Sequence, residues 1–437
     1  MRLSPNWFLT AVFGSVLTIA APCGAAQAAA PSYTTLYEFG AEPDAQFPGS
    51  LVRDKSGLLY GVGSGGGQGY GAVFSLTPPT APGGAWTESV IHSFAGNDGS
   101  SPNALALDAK GVLYGTTNSG GTSGNGTVFR LAPPSVPDAG WSLTVLHNFT
   151  GGADGGLPAG LTIGSKGILY GTTSSGGIFS SVCGPGCGTV FQLTPPAAAG
   201  GSWTETTLYS FTNTSGDGGG PPAGVVMDAN GVLYGTTFNG GSSVNGGGTV
   251  YALTPPSSPG GAWTETVLHS FGATNEDGRD PGGVVLGDNG ALYGATPFGG
   301  STNGGIAFEL APPATPGDVW TETVLFMFDV APGKLTTPLK PLGVILGPKG
   351  VLYGSTEYGG TSVGGTVFQL TPPTAPGDPW RETTLHSFAL LGTYSSAPGS
   401  LVRGGGSIYG TTSYGGAGPC TIGNRVVGCG TVFELTP

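Results

Sequence analysis

The sequence predicts an all-β protein: a seven-bladed β-propeller of four-stranded blades, closed by an N-terminal strand that completes the last blade. Three observations carry this. Turn-forming residues punctuate the whole chain, one motif recurs seven times, and the two chain ends hold complementary parts of a single repeat. Gly (86) and Pro (37) make 123 of the 437 residues, and only 9% are charged. There is no Gly-X-Y register, so a collagen-like polymer is excluded. A hydrophobic share of 38% is too high for a solvated coil. Gly and Pro recur nearly every ten residues, which leaves no room for long amphipathic helices.

The recurring motif is Leu-Tyr-Gly, once Ile-Tyr-Gly. Its Tyr falls at Tyr60, Tyr114, Tyr170, Tyr234, Tyr293, Tyr353 and Tyr409. A solenoid coil would keep a stricter and shorter period; this variable spacing implies loops inserted into a larger unit. Each unit holds four strand-like segments, as residues 102–149 show. Ala104 to Asp108 is the first, and Asp108-Ala-Lys-Gly111 turns it into Val112 to Thr117, because Gly can take the positive φ such hairpins need. The Gly/Ser-rich loop Asn118 to Gly126 leads to Thr127 to Leu131. That third segment ends at Pro133-Pro134, and Trp141 to Phe149 is the fourth. All four are short β-branched or aromatic runs between turn residues.

The ends define the topology. The chain stops after a third segment, Gly430-Thr-Val-Phe-Glu-Leu-Thr-Pro437. The missing fourth segment stands at the start as Thr34-Thr-Leu-Tyr-Glu-Phe39, which matches Thr144 to Phe149 and Thr266 to Phe271. A ring whose first strand completes its last sheet leaves no open edge. The Pro-initiated segment is then expected to lie innermost.

These motifs resemble a known family. Leu-Tyr-Gly-Thr-Thr, the Gly-Gly loop, Gly-Thr-Val-Phe-x-Leu-Thr-Pro-Pro and Leu-His-Ser-Phe are similar to the Gloeo/Verruco tandem-repeat family, over essentially all of residues 34–437. The resemblance implies an exported bacterial propeller-like protein and carries no established activity. Members often have a C-terminal surface anchor. None follows Pro437 here, so a soluble periplasmic or secreted protein is expected.

Residues 1–30 read as a secretory signal peptide, with Arg2 as the positive start, an apolar stretch from Trp7 to Ala21, and cleavage after Ala28 or Ala30. Residues 31–437 then form a single propeller domain. Lipidation at Cys23 is disfavoured by Pro22, and no later stretch is apolar enough for a membrane helix. Export leaves Cys183, Cys187, Cys420 and Cys429. An even count in an exported chain favours disulfides; zinc is the alternative, but no His lies nearby in sequence. Cys187 and Cys429 hold equivalent positions in copies three and seven, which are not neighbours in the ring. The expected pairs are therefore local, Cys183–Cys187 and Cys420–Cys429.

A net charge of −12 argues against nucleic acid and anionic membrane surfaces as partners. All four histidines, His92, His147, His269 and His386, stand two residues before the Phe that ends the fourth segment. Tyr37, Tyr209 and Phe326 fill the same slot elsewhere, so it reads as an aromatic packing site rather than acid–base machinery. That leaves no His for a nucleophilic triad. The six tryptophans that open the fourth segments read as apolar cover for the blade edges. Glu88, Glu205, Glu265, Glu322 and Glu382, two residues on, read as solvated edge residues.

Asp44, Asp98, Asp154, Asp217 and Asp277 each lie four residues before a Pro, in the loop between fourth and first segments. They suit Asx-type turns, and as hard oxygen donors they are also candidate calcium ligands. Phe238, Phe298, Tyr358 and Tyr414 stand on the Gly-Gly loops. Such aromatics can stack on sugars or pin the loops to neighbouring blades. Arg53 and Arg403 break an otherwise apolar slot in the first and last copies. They are candidates for anion binding, or else they snorkel from the strand ends.

Two functions compete. The first is a monomeric, non-catalytic binding or scaffold propeller for a small molecule, glycan or envelope protein. The second is a propeller hydrolase or lyase acting on glycans or lactone-like compounds through carboxylates or Tyr, with Glu357 and Asp280 as off-pattern candidates.

Overall fold

Seven antiparallel sheets are arranged as the seven-bladed propeller that the repeats predict. The computed structural model describes residues 30–437 apart from 82, 137–138, 180, 199, 215, 244–245, 259, 316, 330–335, 376, 392–393 and 397. Residues 1–29, most of the expected signal peptide and with it Cys23, lie outside the described residues; Pro31–Pro437 forms one compact unit. Blade 1 comprises Ala45–Arg53, Leu59–Gly66, Ala72–Thr77 and Thr87–Ser93. Blade 2 comprises Ser100–Leu107, Leu113–Ser119, Thr127–Ala132 and Ser142–Asn148. Blade 3 comprises Gly156–Ile163, Leu169–Ser175, Thr189–Thr194 and Thr204–Ser210. In blade 4 the strands are Val226–Met227, Leu233–Thr237, Thr249–Thr254 and Thr264–Ser270. Those of blade 5 are Val284–Leu286, Leu292–Thr296, Ile306–Ala311 and Thr321–Met327. Those of blade 6 are Leu339–Leu346, Leu352–Tyr358, Val363–Thr371 and Arg381–Leu391.

Blade 7 is completed across the chain ends. Pro398–Gly404, Ser407–Thr412 and Thr431–Thr436 are joined by the N-terminal strand Ser32–Glu38, which pairs antiparallel with Thr431–Thr436. First strands touch the first strands of neighbouring blades and make the inner ring. Hydroxyls staple one blade to the next: Thr172 donates to Ala223 O (2.7 Å), Thr236 to Gly282 O (2.6 Å) and Thr411 to Gly49 O (2.9 Å). The last of these crosses the closing seam.

The core is divided among the seven seams. The Phe ending each fourth strand meets, edge to face or tilted, the third-strand aromatic of the next blade. The pairs are Phe39–Phe74, Phe94–Phe129, Phe149–Phe191, Phe211–Tyr251, Phe271–Phe308, Phe328–Phe368 and Phe388–Phe433. The Gly of Leu-Tyr-Gly is what admits this ring. A Cβ at Gly115 or Gly354 would stand 2.3 Å from the Phe129 or Phe368 ring. The Thr residues of the same motifs are buried and bonded to each other between second and third strands, as in Thr117–Thr127 and Thr356–Thr366. The tryptophans do more than cover edges. Trp141, Trp203, Trp263 and Trp320 each pack on the Leu-Tyr-Gly tyrosine of the preceding blade.

A β-bulge recurs in the fourth strand. In blade 1, His92 pairs with Val73 but Val90 pairs with Phe74, which leaves one extra residue between them. One extra residue reverses the side to which later side chains point. Glu88 therefore faces the seam behind its blade, and His92 the seam ahead.

Candidate functional site

Strand direction sorts the candidate residues onto two faces. The loops between second and third strands, and those between blades, emerge on one face, here the loop face. The hairpins joining first to second strands emerge on the other. Phe238, Phe298, Tyr358, Tyr414 and the five loop aspartates thus share the loop face, while Arg53 and Arg403 stand at the hairpin face. A single site cannot include both groups.

At the loop-face end of the inner ring, the residue before the first-strand Pro is held with φ positive: Phe47, Ser101, Leu157, Asp280 and Lys340, with Gly220 in blade 4. That region is disfavoured for a side-chain-bearing residue, and doubly unusual before Pro. A hydrogen bond to the preceding blade accompanies it each time, such as Asp280 N–H to Gly247 O (2.8 Å) and Lys340 N–H to Gly304 O (2.8 Å). Asp280 is therefore a repeat position with an unusual side chain, whose pKa burial raises against the opposing charge of Arg279. No residue pattern marks this slot, because the residue types in it share nothing.

Lys340 makes the most distinctive cluster on this face. Its Nζ lies 5.1 Å from the Phe298 ring centre and 5.0 Å from that of Tyr358, so the ammonium contacts two aromatic faces. Glu357 Oε2 is 3.8 Å away, and the Lys and Glu side chains are each about one-third exposed. Glu357 also raises the Tyr358 pKa by accepting its hydrogen bond. Tyr414 meets Phe47 edge to face in the corresponding place at the closing seam. Phe238 stands one position earlier on its loop than the other three aromatics and is exposed.

The five aspartates do not gather at one point. Each turns back on its own loop: Asp44 accepts from Gly40 N–H (2.9 Å), Asp98 from Ala95 N–H (2.8 Å), and Asp217 from Thr212 N–H (2.7 Å). All but Asp277 also bind the residue in the aromatic slot, Asp217 through Tyr209. The Tyr37 hydroxyl donates to Asp44 (3.1 Å), His92 Nε2 to Asp98 (2.8 Å) and His147 Nε2 to Asp154 (3.3 Å). The slot is an aromatic packing site, as the sequence implied, since every His ring abuts the Phe two residues on. Its Asp partner was missed. The available signal was that Phe326, which cannot hydrogen-bond, is followed by a loop without the Asp.

The fourth-strand glutamates differ from the solvated edge residues expected. They are part-buried in the seams. Burial lifts the pKa of Glu88, Glu205 and Glu265 to about 7, reinforced by Asp44, Asp154 and Asp217 respectively. The fourth-strand bulge explains the difference, because it turns the Glu toward one blade and the slot residue toward the other.

At the hairpin face, the Arg53 guanidinium lies 5.3 Å from the Tyr409 ring centre, across the closing seam. Arg403 Nη1 donates to Leu346 O in blade 6 (3.0 Å). Each arginine reaches back to a different preceding blade. Both expected disulfides are present, Cys183–Cys187 and Cys420–Cys429, and each braces a loop between second and third strands. Among the described residues, no helix is long and apolar enough to cross a membrane.

The Gloeobacter/Verrucomicrobia repeat model matches residues 25–183 and 180–423. No curated protein matches the chain. Among solved structures, it is similar to the extracellular domain of a protein described as a hybrid two-component system from B. thetaiotaomicron. The TM-score is 0.51 at 12% identity, over 94% of this chain and 41% of that one. PQQ-bound aldose sugar dehydrogenase from Streptomyces coelicolor gives a TM-score of 0.43 at 14% identity, over 93% and 98%. The PQQ domain of pyranose dehydrogenase from Coprinopsis cinerea gives 0.44 at 12%, over 93% and 95%. These are likenesses of fold.

Proposed function

The chain belongs to the Gloeobacter/Verrucomicrobia repeat family, and from that premise we propose that it is an exported, non-catalytic binding propeller. Its ligand is a glycan or a glycan-bearing envelope component, held on the loop face at blades 5 and 6. Two disulfides in Gly-rich loops support an oxidising location. The observation that carries the binding reading is the Phe298–Lys340–Tyr358 cluster with Glu357 at its edge. Flat aromatic faces suit the C–H faces of sugar rings, and the flanking ammonium and carboxylate suit hydroxyls. Catalysis has less support, because the histidines and loop aspartates are occupied as packing and turn elements of the repeat.

The test is a glycan-array screen of the exported chain, followed by calorimetric titration of the best ligand. Phe298→Ala and Tyr358→Ala are each expected to weaken binding at least tenfold with the melting temperature preserved. Binding that survives both changes, or no saccharide binding at all, would overturn the assignment. Turnover of a ligand during the screen would replace it with the hydrolase or lyase reading.

A further inference from the structure

The seams form an internal mutant series, because five of the seven bring together a slot residue, a loop Asp and the Glu position of the next blade. Between blades 2 and 3 the set is His147, Asp154 and Glu205, and hydroxyls satisfy it. Thr150 donates to Asp154, and Thr207 donates to Glu205 Oε1 (3.2 Å). Between blades 3 and 4, Tyr209 replaces the His. Between blades 1 and 2, Leu143 replaces the Glu.

The seam between blades 4 and 5 has the full set, His269, Asp277 and Glu322, but lacks the hydroxyls. Val324 stands where blade 3 has Thr207, and Ala273 supplies the loop N–H to Asp277 Oδ2 (3.0 Å) that Thr150 supplies to Asp154. As a result His269 Nε2, Asp277 Oδ1 and Glu322 Oε1 are all buried without a hydrogen-bond partner. Asp277 is only 9% exposed, so its orphaned oxygen is costly unless something binds it. Ligand atoms of the three residues lie within 4.8 Å of one another, and among the described residues no other His/Cys/Asp/Glu group does this.

We propose that this seam is a metal site, binding one divalent transition-metal ion of the zinc class through His269 Nε2, Asp277 Oδ1 and Glu322 Oε1. The His269–Asp277 separation agrees with shared coordination, and Glu322 lies within reach of the same ion. Two ligands about 2.0–2.1 Å from a tetrahedral ion stand roughly 3.3–3.4 Å apart, and His269 Nε2 to Asp277 Oδ1 is 3.5 Å. An imidazole selects against calcium and magnesium, which take oxygen ligands. A neutral His with two carboxylates balances a dipositive charge, so the buried site becomes neutral when filled. The Ala273 N–H fixes the second Asp277 oxygen and thereby aims the first. A groove lined by Asp217, Glu265 and Trp320 also borders His269. Three protein ligands leave a coordination position for water.

The experiment is titration of Zn²⁺, and separately Co²⁺ and Ca²⁺, into chelator-treated full chain, read by calorimetry, thermal melting and, for Co²⁺, visible absorption. One Zn²⁺ per chain should bind and raise the melting temperature, Co²⁺ should give a d–d band, and Ca²⁺ should do neither. His269→Tyr and Glu322→Leu copy residues that other seams already accommodate, so both should fold. Each should weaken Zn²⁺ at least a hundredfold, while His147→Tyr should leave it unchanged. Absence of saturable Zn²⁺ binding to the unaltered chain, or binding that survives both His269→Tyr and Glu322→Leu, would overturn the proposal.

Discussion

Gly354 offers a direct test of how the two commonest motifs lock together. In each blade the Gly after the motif tyrosine lies under the third-strand aromatic ring, which belongs to Gly-Thr-Val-Phe in four of the seven. At Gly354 an added methyl would stand 2.3 Å and 2.8 Å from two Phe368 ring atoms and 2.6 Å from Gly343 O. None of these can yield cheaply, because the ring is fully buried and the carbonyl belongs to the adjacent strand. Gly343, in the neighbouring strand, has nothing within 4 Å of its own added Cβ and needs no positive φ. Replacing either Gly by Ala removes the same unfolded-chain entropy, a gain of about 0.4–1 kcal/mol. Overpacking at Gly354 opposes this with roughly 1–3 kcal/mol. The difference between Gly354→Ala and Gly343→Ala isolates the clash, and it should be about 1–3 kcal/mol. Urea denaturation with a shared m-value measures it. Adding Phe368→Leu to Gly354→Ala should recover part of the loss, seen as a favourable coupling in the double-mutant cycle. Equal stability of the two Ala variants would refute the ring-over-glycine account of the motif.

Further outcomes follow from the seams, the ring closure and the braced loops. The glutamates at Glu88, Glu205 and Glu265 have pKa values raised from 4.5 to about 7, so ionising them disfavours the folded state. Their contribution is best below about pH 4.5 and is lost as pH rises through 7. Glu265→Gln should therefore gain on the unaltered chain between pH 5 and 8 by about 1 kcal/mol after solvent screening; urea midpoints that stay parallel over that range would contradict this. Phe39→Ala and Phe94→Ala remove equivalent buried rings from the closing seam and a continuous one. Both should cost about 3–5 kcal/mol, and a much milder effect at Phe39 would mean that the N-terminal strand frays. Replacing Cys420 and Cys429 by Ser should cost roughly 2.7 kcal/mol, against about 2 kcal/mol for Cys183 and Cys187, from the lengths of the loops closed. The reverse order, read from denaturant midpoints, would assign the bridges a role other than loop restraint.

Where the repeat is strict, the sequence was enough. Seven copies of the Leu-Tyr-Gly motif, one of them Ile-Tyr-Gly, and the split last blade define the ring, and the equivalence of Cys187 with Cys429 was enough to predict both bridges. The glutamates were misread for a specific reason. Strand alternation puts Glu88 and His92 on one face, and only the intervening bulge, which no residue type announces, sends them to different seams. The positive-φ position before each first-strand Pro was hidden in the same way, since Phe47, Ser101, Leu157, Asp280 and Lys340 have no common chemistry. Arg53 could be placed near the closing seam but not onto Tyr409, because that contact exists only once the N-terminal strand has closed the ring.

A repeat protein therefore changes what counts as an unusual residue. His269 is ordinary by its slot, for His92, His147 and His386 share it, and all four abut the following Phe. What distinguishes it is the loss of its neighbours' donors: Val324 in place of a Thr, and a loop Ala in place of another. Lys340 is ordinary by its backbone and unusual by the two aromatic rings that flank it. In both cases the scaffold residue keeps its structural task while its surroundings change, so the fold tolerates the change and a binding capacity can arise. Asp280 is odd only within its own column of the repeat, and a backbone rule explains it. His269, Asp277 and Glu322 are odd only as a seam, because its partners no longer satisfy one another.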